Sequence, residues 1–192
     1  MTEFETNGFV VVRGFLEKQA AQTVSRYMEF ALNRGDMPIV RADATATTHS
    51  RYADPLTETI LFNSLGELEE ITGKKLYPTY SYSRVYLKGD KLKPHTDRES
   101  CEVSVTVQVG TKGAAWPIWM KAPGKEPVSF TLGVGDAVVY KGCEVTHWRE
   151  TAVDTEVTAQ FMLHYVDKNG PYTAFKWDKR PALGMPETTR RA

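Results

Sequence analysis

Two hydrophobic periods divide the chain. In the first third, apolar positions recur at helical spacing. Ala20, Val24, Tyr27, Met28, Ala31 and Leu32 predict a helix from Leu16 to about Asn33, and Arg34-Gly35-Asp36 supplies its glycine stop. A second helix starts at Asp54-Pro55, with the carboxylate as N-cap and the proline in the first turn. Leu56, Ile60, Leu61, Leu65, Leu68 and Ile71 carry it to Gly73. Ahead of both helices, "GFVVVRGFL" is a valine-rich run between Gly8 and Gly14 and predicts a short buried strand. Between them, "RADATATTHSRYA" (41–53) has no apolar period and reads as a loop, a candidate lid or substrate-recognition segment with His49 as a loop residue.

From residue 80 the period changes to two. Strands are predicted over 80–87, 102–109, 116–121, 127–132, 137–140, 145–151 and 156–166, punctuated by Gly, Pro and Asp. Helices followed by many strands predict a mainly β fold with flanking helices (α+β), a sandwich or barrel covered on one side by helices. In "CEVSVTVQV" the valines at 103, 105, 107 and 109 alternate with Glu102, Ser104, Thr106 and Gln108. In a closed jelly roll such a polar face lines an occupied interior. The last strand repeats the pattern, with Val157, Ala159, Phe161, Leu163 and Tyr165 on one side and Thr158, Gln160, Met162 and His164 on the other. His164 is accordingly expected to be a hydrogen-bonded lining residue rather than a metal ligand.

Composition narrows the function classes. The 192 residues carry 24 basic and 24 acidic side chains, with no long basic run to attract nucleic acid or an anionic membrane. No Ser-, Gly- or charge-rich linker interrupts them, so one domain over 1–192 is expected: helical support over about 1–76, a β core over about 77–167 and a tail over 168–192. No apolar run has the length of a membrane span, and "MTEFETNGF" lacks the pattern of a signal peptide, so a cytoplasmic location is expected. Cys101 and Cys143 are expected to be reduced.

The chemistry is carried by "KLKPHTDRES", which places His95 and Asp97 two apart, and by "YKGCEVTHWRE", which places His147 at the start of a later strand. Two imidazoles and one carboxylate on one face, with positions left open, are what a non-haem Fe(II) centre requires. The same ligands also suit zinc with a bound water.

With its flanks, this arrangement resembles the Fe(II)- and 2-oxoglutarate-dependent dioxygenases, in particular the prolyl-4-hydroxylase-like branch. The resembling segments are "NGFVVVRGFL", two helices, "YSYSRVYLKGDKLKPHTD", "GVGDAVVYKG" and the distal "THW". The resemblance implies a double-stranded β-helix, or jelly roll, with ligand segments on facing strands and His95, Asp97 and His147 as iron ligands. It implies oxidative decarboxylation of 2-oxoglutarate with O2, coupled to hydroxylation of an unactivated C–H bond in a peptidyl residue, an amino acid or a small metabolite. Ascorbate enters as a candidate reductant. Many members of the family carry Arg or Lys shortly beyond the distal histidine to bind the far carboxylate of 2-oxoglutarate, whereas Glu156, Val157 and Thr158 stand here. Replacement candidates are Arg149, Lys112 and Arg84, with Tyr82, Tyr86 and Thr158 as hydroxyl donors. Arg149 is favoured because "HWRETAVDTEVTAQ" reads as a hairpin that sets Arg149 opposite Thr158 and His147 opposite Gln160. Arg98 and Glu102 are candidate supports for Asp97, and Trp116 and Trp119 are packing residues or pocket walls. The alternatives are a metal-dependent hydrolase and a non-catalytic binding module on a cupin-like jelly roll.

Overall fold

The computed structural model describes residues 2–40 and 48–185. In chain order the elements are α1 (Glu3–Asn7), β1 (Phe9–Val12), α2 (Lys18–Asn33), β2 (Ile39–Val40), β3 (Thr48–Tyr52), α3 (Pro55–Asn63), α4 (Leu65–Thr72), β4 (Leu76–Leu87), β5 (Leu92–His95), a 3₁₀ turn (Glu99–Cys101), β6 (Val103–Gly113), β7 (Ile118–Lys121), β8 (Val128–Phe130), β9 (Ala137–Lys141), β10 (Thr146–Arg149), β11 (Thr155–Asp167) and a C-terminal 3₁₀ segment (Thr173–Lys179). The strands form a seven-stranded sheet, β1-β9-β6-β11-β4-β3-β2, and a four-stranded sheet, β5-β10-β7-β8, and every pairing is antiparallel. This is the expected jelly roll with helices on one face. No helix among the described residues is long and apolar enough to cross a membrane.

The alternation along β6 and β11 decides which side of the large sheet faces what. Val103, Val105, Val107 and Val109, with Ala159, Phe161, Leu163 and Tyr165, pack into one core with Val24 and Met28 of α2 and with Leu61 and Leu68 of α3 and α4. The opposite, polar face of the same strands turns toward the small sheet. A smaller apolar cluster (Ile118, Met120, Val138, Tyr140 and Val145 among others) joins the two sheets at one end, and Tyr86, Leu92, Trp116 and Ala152 form another. Burying seventeen apolar side chains larger than alanine on the helix side, at roughly 1.5–3 kcal/mol each, frees the interior between the sheets to stay polar.

Four expectations are corrected. Residues 48–52 are strand β3, not loop: the segment pairs with β4 and β2, and the His49 ring contacts the Met37 carbonyl at 2.9 Å. Residues 41–47, the rest of the suggested lid, lie outside the described residues. The second helix breaks at Ser64 into α3 and α4, where Ser64 and Gly66 are weak helix formers. The expected hairpin between β10 and β11 does not form. β10 pairs with β5 and β7 in the small sheet, whereas β11 lies between β4 and β6 in the large one, so the chain crosses between layers after Arg149. Strand β4 also begins earlier than the pattern suggested. Its Pro78 is tolerated because residues 76–79 pair only with β11, and β3 runs alongside 82–85 alone.

Candidate metal centre

His95 is the last residue of β5, and His147 lies directly opposite it on the antiparallel neighbour β10, with ring centroids 4.2 Å apart. The two histidines therefore come from adjacent strands of the small sheet, not from facing strands. Asp97 follows the end of β5 and is held by its backbone, whose N–H donates to the Gly142 carbonyl at 2.8 Å. Gly142 permits this close approach, because a Cβ there would stand 2.0 Å from the Cys101 carbonyl and 2.9 Å from Asp97 Oδ2. Asp97 Oδ1 then lies 3.7 Å from Nε2 of both histidines.

Hydrogen bonding orients the rings. His95 Nδ1 is 2.8 Å from the Lys93 carbonyl and His147 Nδ1 is 3.1 Å from the Val145 carbonyl. A carbonyl only accepts, so each Nδ1 carries a hydrogen and each ring turns its Nε2 toward Asp97. Burial holds His147 neutral by lowering its pKa. Three potential ligand atoms thus converge within 4.8 Å of one another, an arrangement that suits a divalent cation. The Tyr140 hydroxyl, 3.4 Å from His147 Nε2, stands beside them.

Support for Asp97 comes from an unexpected quarter. Arg98 instead pairs with Asp178 of the C-terminal segment at 2.8 Å, and Glu102 accepts from the Asp167 backbone at 2.8 Å. The bond to Asp97 Oδ2 is made by Ser104 Oγ at 2.7 Å, and Ser104 Oγ is also 2.9 Å from His164 Nδ1. The sequence signal was present in the polar face of "CEVSVTVQV", which points Ser104 inward. What it lacked was the register that brings that face to Asp97. His164 lines the interior and is hydrogen-bonded, as expected, and burial pushes its pKa down to about 4.

The triad opens into a cavity of about 540 Å³ between the sheets, with Tyr82, Arg84, Tyr86, Gln160, Met162 and His164 on its large-sheet wall. The sequence-predicted anion-binding candidates fall in different places. Arg84 and Tyr82 line the cavity, with Arg84 Nη1 donating to Tyr86 Oη at 3.2 Å and Tyr82 Oη donating to Ser50 Oγ at 2.9 Å. Lys112 is exposed at the far end of β6 and pairs with Glu156 at 2.6 Å, outside the cavity. Arg149 is 2% exposed, donates to the Trp116 carbonyl and to Gln160 Oε1 (3.0 Å), and lies over the Trp116 ring at 4.9 Å. Trp116 is therefore a wall for Arg149, while Trp119 stacks on Trp148; neither lines the cavity. The Arg149 neighbourhood arises by a route other than the hairpin. Arg149 reaches across the interior to Gln160, and Gln160 and Thr158 lie beside Arg84 and Tyr86 in the β11–β4 register.

Among the described residues Arg149 has no carboxylate partner, its Nε has no hydrogen-bond partner, and neither does the buried Thr158 Oγ1. Burial lowers the Arg149 pKa to about 10. A desolvated guanidinium without a counter-charge is costly, and a bound carboxylate removes that cost. The three converging atoms therefore fit a divalent metal, while Arg149 and Thr158 lie behind Gln160 and are not among the residues lining the cavity; of the cationic anion-binding candidates Arg84 alone lines it.

No family model matches the sequence, and no curated protein matches it either. Solved structures do match. A prolyl-4-hydroxylase from Pseudomonas putida superposes with a TM-score of 0.70 at 12% identity, covering 87% of this chain and 96% of its own. An oxidoreductase of the 2OG-Fe(II) oxygenase family from Burkholderia pseudomallei gives 0.69 at 16% identity over 88% and 89%. The α-ketoglutarate-dependent epimerase SnoN of nogalamycin biosynthesis gives 0.73 at 13% identity over 95% and 88%. The shared property is the fold. At these identities the activities named remain those of the relatives, and a hydroxylase and an epimerase on one scaffold show how far chemistry varies upon it.

Proposed function

We propose that this protein is an Fe(II)/2-oxoglutarate-dependent oxygenase that hydroxylates an unactivated C–H bond of a small molecule or peptidyl residue. The observation that carries this reading is the convergence of His95 Nε2, His147 Nε2 and Asp97 Oδ1 at the base of the interior cavity, within a fold shared with 2OG-Fe(II) oxygenases. The bound iron would supply the oxidative chemistry with O2, decarboxylating 2-oxoglutarate to succinate while the substrate gains a hydroxyl.

The chain's own residues bind, orient and shield. His95, Asp97 and His147 hold the metal on one face. Arg149 is the residue we assign to the far carboxylate, with Thr158 adding a hydroxyl and Arg84, Tyr82 and Tyr86 lining the approach. A guanidinium suits a carboxylate because two parallel N–H groups match two oxygens. With Asp97 supplying a carboxylate to the donor set that would hold the metal, the reading is hydroxylation rather than halogenation. A hydrolase is less well supported, because Asp97 is the one carboxylate among the described residues lining the cavity and no second carboxylate stands there to activate water. The prolyl-4-hydroxylase branch is supported by the Pseudomonas putida likeness, and ascorbate is assigned no site.

The test is Fe(II)-dependent conversion of 2-oxoglutarate to succinate. Turnover by the native protein and its loss in His95→Ala, Asp97→Ala and His147→Ala is expected. Succinate release that persists in all three variants would refute the assignment.

A further inference from the structure

We infer that His164 is a positioning residue which, through Ser104, fixes the Asp97 carboxylate with Oδ1 turned toward the two histidines. The inference rests on the reading of Asp97 as a metal ligand and goes beyond it to two residues of the opposite sheet.

Hydrogen counting carries the argument. Ser104 Oγ lies 2.7 Å from Asp97 Oδ2, 3.1 Å from the Cys101 carbonyl and 2.9 Å from His164 Nδ1. A hydroxyl has one hydrogen to give, and Asp97 and the Cys101 carbonyl are both acceptors. The charged and closer acceptor takes it, since hydrogen bonds to ionised groups are shorter and about twice as strong as neutral ones. His164 Nδ1 must then be the donor to Ser104. A Ser104 hydroxyl turned toward His164 would instead set an oxygen lone pair against the carboxylate. The direction of the chain is therefore His164 Nδ1–H to Ser104 Oγ, and Ser104 Oγ–H to Asp97 Oδ2.

The elements hold this chain without slack. Ser104 and His164 are directly paired across β6 and β11, both are buried, and the His164 ring packs on Tyr80 with centroids 4.6 Å apart. Gly142 closes the other side, where a Cβ would come within 2.8 Å of Ser104 Oγ. With Oδ2 occupied, Asp97 presents Oδ1 alone to His95 and His147, so the carboxylate is set to bind through one oxygen. The same tautomer leaves His164 Nε2 as an acceptor on the cavity wall, so a substrate group resting there must bring a hydrogen-bond donor.

The test measures Co(II) affinity, and needs no substrate. Residues that orient a metal ligand typically change affinity by about 10–100-fold when removed. Ser104→Ala should weaken Co(II) binding by that factor. His164→Leu should weaken it less, and His164→Asn, whose amide N–H stands in for Nδ1–H, should restore the native value. Native affinity in Ser104→Ala overturns the inference, as does equal weakening in His164→Asn and His164→Leu. His95→Ala separates this test from the metal assignment: if native protein binds Co(II) and His95→Ala does not, the metal site stands and the Ser104 result judges the inference alone. The ¹⁵N signals of His164 in unmodified protein give a readout that needs no variant. The Nδ1–H tautomer is expected, and an Nε2–H tautomer contradicts the chain.

Discussion

Arg149 is the residue whose energetics ask most directly for a ligand. A buried guanidinium held by two neutral oxygens and an aromatic face is under-compensated, so replacing it should matter more to ligand binding than to folding. Arg149→Ala is expected to weaken 2-oxoglutarate binding by about 2–5 kcal/mol while leaving metal affinity unchanged, as measured by calorimetric titration of the Co(II)-loaded protein. Unchanged 2-oxoglutarate binding in that variant, with loss in Arg84→Ala, would move the carboxylate onto β4. A second residue-scale expectation concerns acid. Burial depresses the His164 pKa to about 4, against about 6.5 in the unfolded chain, so the unfolded state takes up the proton first. Stability of the metal-free protein from this group is thus complete above pH ~6.5 and falls as the pH drops toward ~4, by about 3 kcal/mol. His164→Asn should flatten urea-denaturation stability across that window, and an equally steep decline in the variant would assign the effect elsewhere.

At the scale of elements, the C-terminal 3₁₀ segment has no buried residue of its own and is tied to the rest of the chain by charge and hydrogen bonds. Trp177, Asp178 and Lys179 all adopt positive φ without being glycine, a costly run that its contacts must hold in place. Asp178 accepts from Tyr52 and pairs with Arg98 beside the cavity, and Arg180, two residues on, forms a fully buried pair with Glu58 of α3. Removing one partner of a buried pair strands the other, so Glu58→Gln should lose about 3–5 kcal/mol in chemical denaturation. A loss below 1 kcal/mol would mean that the pair does not anchor the segment. The elements also show what a sequence reveals. The valine alternation of β6 and the paired alternation of β11 announced a two-faced sheet because side-chain direction is a local property with period two. The β10–β11 hairpin was misread for the complementary reason: the five residues between the two strands suit a short turn or a crossover between layers equally well, and only the packing partners decide. The polar run at 48–52 hid strand β3 because its inward residues, Thr48 and Ser50, face a polar interior, so no apolar alternation marks it.

For the whole molecule, His95, Asp97 and His147 were legible because a ligand motif is a pattern of residue types, and the anion site was only partly so because it is a meeting of strands from two sheets. Arg149 and Gln160 come together across the interior; Ser104 and Asp97 do the same, and no spacing in the chain encodes either contact. The core also lies apart from the site, on the helix side of the large sheet, so the metal should contribute little to folding. Chelation is expected to abolish succinate formation while leaving far-UV circular dichroism unchanged and the melting temperature within a few degrees, whereas collapse of the fold on chelation would make the centre structural.

The central claim is that one site holds iron and 2-oxoglutarate together, and anaerobic titration followed by visible absorption tests it most directly. A weak charge-transfer band should appear only when Fe(II) and 2-oxoglutarate are both present. It should be lost in Asp97→Ala and should need far more 2-oxoglutarate in Arg149→Ala. Absence of any band in native protein that has bound Fe(II) would contradict the account.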